Sequence, residues 1–203
     1  MIAIVDYRAG NLRSVERALA SLGLACCITN SSEEILRAER VIFPGVGAAG
    51  AAMATILETG LDRAIKDYVA SGRPFMGICL GTQIILEHSA EDDTECLGLF
   101  KGEVVRFAAG GLKIPHMGWN NIVPRRAHPL LEGLRPEHQF YFVHSYYPAP
   151  TDPADVVAVC NYGCEFAAVL GRDNVVATQF HPEKSGEPGL RLLKNFANWD
   201  GRP

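Results

Sequence analysis

The chain has 203 residues, enough for one substantial hydrophobic core or two small ones. Its 48% hydrophobic and 21% charged content is that of a soluble globular protein, and a net charge of −4 without any dominant Lys/Arg run argues against a nucleic-acid surface. No stretch nears the roughly 20 apolar residues of a membrane span, and an apolar start interrupted early by Asp6, with no basic residue ahead of it, predicts no secretory signal.

In chain order, residues 2–5 read as a buried strand ending at Asp6. Residues 11–23 carry Leu12, Val15, Leu19 and Leu22 at helical spacing, with Gly23 as the stop. A second strand is predicted over 24–29, a helix start at Ser31-Ser32-Glu33-Glu34, and a third strand over 40–43. Alternation at this pace predicts a mainly parallel sheet wrapped by helices on both faces. The turn that follows, Pro44 to Gly50, formally matches G-x-G-x-x-G. A dinucleotide site is disfavoured, because that fingerprint follows the first strand of its unit and wants a carboxylate ending the next. Here the next strand ends in Gly77-Ile78-Cys79. The turn's free N–H groups better suit one wall of an oxyanion hole.

After an amphipathic helix over 61–71 comes the segment Arg73 to Glu87, on which the functional reading turns. A short apolar strand pinches through Gly77-Ile78-Cys79-Leu80-Gly81 and continues into 82–87 with a helical pattern. Strand, tight turn and helix are the context of a G-x-nucleophile-x-G elbow, here with cysteine as the nucleophile. Glycine is wanted on both sides because side chains there would strike the strand and helix. A helix aiming its N-terminus at Cys79 would favour the thiolate and offer backbone N–H groups to an oxyanion. Residues 91–95 read as an acidic surface stretch.

From residue 97 the strands shorten and the turns grow richer in Gly and Pro. Strands are predicted over 103–107, 119–123, 139–143 and 156–161, more antiparallel than before and grafted onto one edge of the sheet. Two more, over 165–170 and 174–180, form a hairpin across Gly171-Arg172-Asp173, and a last helix over 188–199 packs Leu190, Leu193 and Phe196 onto the sheet. With no repeat or linker, residues 1–203 are expected to form a single domain. The six cysteines, at 26, 27, 79, 96, 160 and 164, predict neither disulfides nor a zinc site, which suits a reducing, cytoplasmic setting.

A nucleophilic cysteine needs a base, and the base needs an orienting acceptor. Among six histidines, His181 ends an apolar strand in Gln179-Phe180-His181-Pro182-Glu183. His-x-Glu in extended chain places both side chains on one face, and Pro182 holds that extension. Glu183 can then accept from one imidazole nitrogen while the other faces Cys79. His88 is expected on the elbow helix facing water, and His128 and His138 on the surface.

These residues resemble the class I (triad) glutamine amidotransferases over essentially the whole length. Within them, Asp6-Tyr7, the Gly10–Val15 block, PGVGA at 44–48, KIPHMGWN at 113–120, YFVHSYY at 141–147 and QFHPEKS at 179–185 are similar to the glutaminase subunits of imidazole glycerol phosphate synthase. The resemblance implies a flavodoxin-like three-layer α/β sandwich that needs no cofactor or metal. It implies Cys79, His181 and Glu183 as catalytic residues, and backbone N–H groups of Val46, Gly47 and Leu80 as the oxyanion hole. Gln83, Glu91, His144, Ser145 and Tyr146 would bind glutamine. Asn11, Trp119, Tyr141 and Lys184 would face a (β/α)8-barrel cyclase subunit, which receives the ammonia in a step of histidine biosynthesis. Arg8 and Ala49 depart from that pattern, where glycine and an aromatic are more usual. Another pathway's glutaminase, a stand-alone cysteine hydrolase on the same scaffold and a non-catalytic subunit are the competing readings.

Overall fold

A computed structural model describes residues 1–8, 10–108 and 111–202. The first half runs β1 (Ile2–Val5), α1 (Leu12–Ser21), β2 (Cys26–Thr29), α2 (Ser32–Arg37), β3 (Arg40–Gly45), α3 (Ala49–Thr59), α4 (Leu61–Ala70), β4 (Phe75–Cys79) and α5 (Leu80–Gln83). Short strands follow: β5 (His88–Ser89), β6 (Thr94–Glu95), β7 (Gly102–Arg106), β8 (His116–Asn121), β9 (Val123–Pro124), β10 (Gln139–His144) and β11 (Tyr146–Pro150). The chain ends with β12 (Val156–Asn161), β13 (Glu165–Arg172), β14 (Val175–Thr178) and α6 (Gly186–Asn198).

The main sheet has the order β2-β1-β3-β4-β14-β13-β12-β9. Its first five strands are parallel, and β13, β12 and β9 continue it antiparallel. Strand alternation divides the core between the two faces. Ile2 and Ile4 join α1 and α6 through Val15, Leu19, Leu193 and Phe196. Ala3 and Val5 join the α2–α4 side through Ile35, Ile56, Ile65 and Tyr68. This is the three-layer sandwich with a mainly parallel sheet and antiparallel additions in the second half. The additions are a four-stranded sheet, β11-β7-β5-β6, and the β10-β8 ribbon.

Several predicted boundaries move, each for a tertiary reason. The elbow helix stops at Gln83 instead of running to Glu87, because the loop 97–100 donates to the carbonyls of Ile84, Ile85 and Leu86. His88 consequently lies in β5 and its ring meets Asp93 at 2.9 Å. The strand predicted over 119–123 is two strands in different sheets, since buried Ile122 separates β8 from β9. The last hairpin pairs Gly171 with Val176 and Arg172 with Val175, so its turn lies at Asp173-Asn174. Helix α3 and strand β11 were not anticipated; the third glycine of the G-x-G-x-x-G match, Gly50, lies inside α3. His128 is buried instead of superficial, its Nδ1 accepting from the Leu130 N–H at the start of a 3-10 turn. Among the described residues no helix is long and apolar enough to cross a membrane.

Candidate active site

Cys79 ends β4 in a left-handed conformation, φ 55° and ψ −106°, which non-glycine residues adopt only under strain. The flanking glycines permit it. A Cβ on Gly77 would stand 2.8 Å from the Gly81 carbonyl oxygen, and one on Gly81 would overlap the carbonyl of Phe43. Since β3 pairs with β4 up to Gly45 opposite Cys79, the glycine-rich turn after β3 arrives beside the cysteine. A cavity of about 330 Å³ opens there, lined among others by Val46, Gly47, Cys79, Leu80, Glu91 and His181. With only four residues in α5, a helix dipole contributes less at Cys79 than the sequence pattern promised.

His181 follows β14, and its main-chain N–H donates to the Tyr141 carbonyl at 2.9 Å. Ser185 braces it by donating to the His181 carbonyl at 2.6 Å while accepting from the Tyr141 N–H at 3.0 Å. The imidazole is 1% exposed; its Nδ1 lies 2.7 Å from Glu183 Oε1, and Nε2, without a hydrogen-bond partner, is on the side of Cys79. Burial alone would push its pKa down, but the Cys79 sulfur and the Glu183 carboxylate beside it outweigh that and raise it. Sulfur, imidazole and carboxylate thus follow one another at the cavity wall. The Glu183 side chain is fully buried, and Asn11 Nδ2 donates to the same Oε1 at 2.6 Å. Asn11, expected only at a partner face, therefore also touches the carboxylate behind His181.

Val46, Gly47 and Leu80 all line the cavity, as do Gln83, Glu91, His144, Ser145 and Tyr146. Glu91 is not a simple surface carboxylate, because its Oε2 accepts from the Ala49 N–H at 2.8 Å. That contact ties the acidic stretch to the start of α3. The His144 ring is committed elsewhere: Nδ1–H donates to the Tyr146 carbonyl at 2.8 Å and Nε2 lies 3.1 Å from His116 Nδ1. Burial pushes His144 down to about 3 and His116 to about 4, so both rings are neutral. Trp119 is exposed on β8 beside Tyr141 of β10, and Lys184 Nζ stands 5.9 Å from the Tyr141 ring. Arg8 adopts φ 66°, the reason glycine suits that position better.

A family profile for class-I glutamine amidotransferases matches residues 3–199. The imidazole glycerol phosphate synthase subunit HisH of Nitratidesulfovibrio vulgaris (strain DSM 19637 / Miyazaki F) is 54% identical, the alignment covering 97% of this chain and 95% of that one. The subunit of the same name from Dehalococcoides mccartyi is 51% identical, over 97% of this chain and 96% of its own. The chain belongs to the HisH family of class-I glutamine amidotransferases. Solved structures agree on the fold: PurLQS from Thermotoga maritima superposes with a TM-score of 0.78 at 20% identity, over 97% of both chains. A crystal structure titled glutamine amidotransferase gives 0.76 at 20% identity, over 97% of this chain and 100% of that one. A HisH-family chain is a glutaminase, and the cavity that Cys79 lines is the candidate place for its amide substrate. Sequence reading gave no role to Gln179, which is fully buried at the end of β14 and donates to the Cys79 sulfur at 3.8 Å. A glutamine closing an otherwise apolar strand was the available signal.

Proposed function

We propose that this chain is the glutaminase subunit of an imidazole glycerol phosphate synthase, working through Cys79, His181 and Glu183. The carrying observation is His181, held by Glu183 on one nitrogen and free on the other at the cavity that Cys79 lines. The Cys79 sulfur attacks the carboxamide carbon of glutamine, and its carbonyl π electrons move to the oxygen. The N–H groups of Leu80 and the Val46-Gly47 turn stabilise that oxyanion, each worth about 3–4 kcal/mol. Collapse breaks the C–N bond, and His181 gives the leaving nitrogen the proton that makes it ammonia. Water then attacks the thioester, His181 takes its proton, and glutamate leaves with the sulfur restored. Gln83, Glu91 and the His144-Ser145-Tyr146 segment hold the substrate, the last through its backbone, since the His144 ring is occupied.

The ammonia passes to a (β/α)8-barrel cyclase subunit in a one-to-one heterodimer of histidine biosynthesis. Trp119, Tyr141, Lys184 and Asn11 form its docking surface. Chain 1–203 acts as one domain, and its six unpaired cysteines fit a reducing, cytoplasmic compartment. The test is glutamate release from glutamine by the chain alone, with a cyclase barrel, and with barrel plus nucleotide ligand. A large rise in the third condition is expected. Stimulation by another synthase instead would move the protein to a different pathway.

A further inference from the structure

We propose that Gln179 is a further catalytic residue, whose side-chain N–H holds the Cys79 sulfur ionised and aimed into the cavity. Resting on Cys79 as nucleophile, this deepens the reading above. The amide's orientation follows from a chain of contacts with a fixed end. The Tyr146 carbonyl can only accept, and it accepts from Gln83 Nε2 at 2.8 Å. The NH2 of Gln83 therefore faces inward, and its second hydrogen goes to Gln179 Oε1 at 3.1 Å. With its oxygen engaged by Gln83, Gln179 must present Nε2–H to Cys79 Sγ, at 3.8 Å. The same Tyr146 carbonyl accepts from His144 Nδ1–H, which leaves His144 Nε2 to accept from His116 Nδ1–H. The Tyr146 carbonyl thus anchors the network by accepting from both sides, and the arm through Gln83 and Gln179 donates in one direction and ends on the reacting atom.

The backbone supports it. The Gln179 N–H donates to the Ala168 carbonyl at 2.9 Å, and Thr82 Oγ1 to the Thr178 carbonyl at 2.6 Å, locking the end of β14 against the elbow. A neutral N–H donated to an anionic sulfur is a charge-assisted bond, so it favours the thiolate over the thiol. It also makes good what a four-residue helix does not supply. The titratable groups around Cys79 are His181 with Glu183 behind it, Tyr7 beneath the turn, and Glu91 and His144 across the cavity. None of them changes in the variants below.

Gln179→Glu keeps an acceptor for Gln83 while replacing the N–H with a charge beside the sulfur. Alkylation of Cys79 by iodoacetamide, localised by mass spectrometry, is expected to shift its pH profile upward by about one unit. In the complex with barrel and ligand, kcat for glutamine should fall about tenfold with KM within about twofold. Gln179→Met, which loses the donor without adding charge, should displace the profile less, in the same direction. Profiles of both variants that superimpose on the wild type overturn the role of Gln179. Cys79→Ala separates the two readings: persistent glutamine turnover in that variant overturns Cys79 as nucleophile. Its loss, with unshifted profiles in both Gln179 variants, overturns only Gln179.

Discussion

Cys79 carries its cost in its own backbone. At φ 55° and ψ −106° a side chain is strained by about 1–3 kcal/mol, a conformation kept because it turns the sulfur out of the sheet. Two inactive variants should therefore differ in stability. Cys79→Gly is expected to unfold about 1 kcal/mol less readily than Cys79→Ala in urea, because only glycine accepts that conformation freely. Equal midpoints would mean that the elbow is unstrained. In the proposed mechanism Glu183 acts through His181, whose Nδ1 its carboxylate meets at 2.7 Å. Glu183→Gln keeps a neutral acceptor at His181 Nδ1, so it should lower kcat less than His181→Ala does. Steady-state turnover in the activated complex checks this, and equal losses would give Glu183 more than an orienting role. The elbow glycines, the cysteine and the His-Pro-Glu sequence are local patterns, and the sequence alone was enough to single them out. Asn11 at Glu183 and Gln179 at Cys79 were not legible, because 172 and 100 residues separate the members of each pair.

Besides His181, the elements of the second half bury three imidazoles. His116 on β8 and His128 before its 3-10 turn are each pushed down to about 4, and His144 on β10 to about 3. In the unfolded chain these groups have their ordinary pKa of about 6.5 and bind protons that the folded chain refuses. The stability these three groups contribute should therefore be fully present above pH 6.5 and fall as the pH drops toward 4, by up to about 1.4 kcal/mol per group and pH unit, whereas the raised His181 is protonated in both states over that range and adds no slope. Urea unfolding at pH 7, 6, 5 and 4 measures it. A flat profile would place these rings in solvent. The sequence did not reveal the burial of His128, since a histidine near prolines and charges looks superficial until Trp199, at the end of α6, packs against its ring. The elbow helix failed for a related reason: residues 84–86 have helical propensity, but the carbonyls they expose are better satisfied by the loop 97–100.

At the scale of the molecule, the β10-β8 ribbon sets Met117 and Trp119 in solvent, 56% and 54% exposed, next to Tyr141, whose carbonyl receives the His181 N–H. Trp119→Ala should change folding stability by no more than about 0.5 kcal/mol. Binding of the barrel subunit should weaken at least about tenfold, as expected for an aromatic anchor at an interface. Isothermal titration with the barrel checks this, and unchanged affinity would move the docking surface elsewhere.

By itself the sequence determined the alternation of strand and helix, the two-faced core, and the glycine-flanked turn that carries Cys79 at the end of β4. Each of these is written in periodicity or in residues a few positions apart. Only the tertiary structure decided which distant groups meet: the acceptor network that orients Gln179, the carboxamide of Asn11 on Glu183, the early end of α5 and the burial of His128. The physical reason is that hydrogen-bond satisfaction in a packed interior is a global condition. A donor's partner is whichever acceptor the folded chain brings within about 3 Å, and no local spacing encodes that choice.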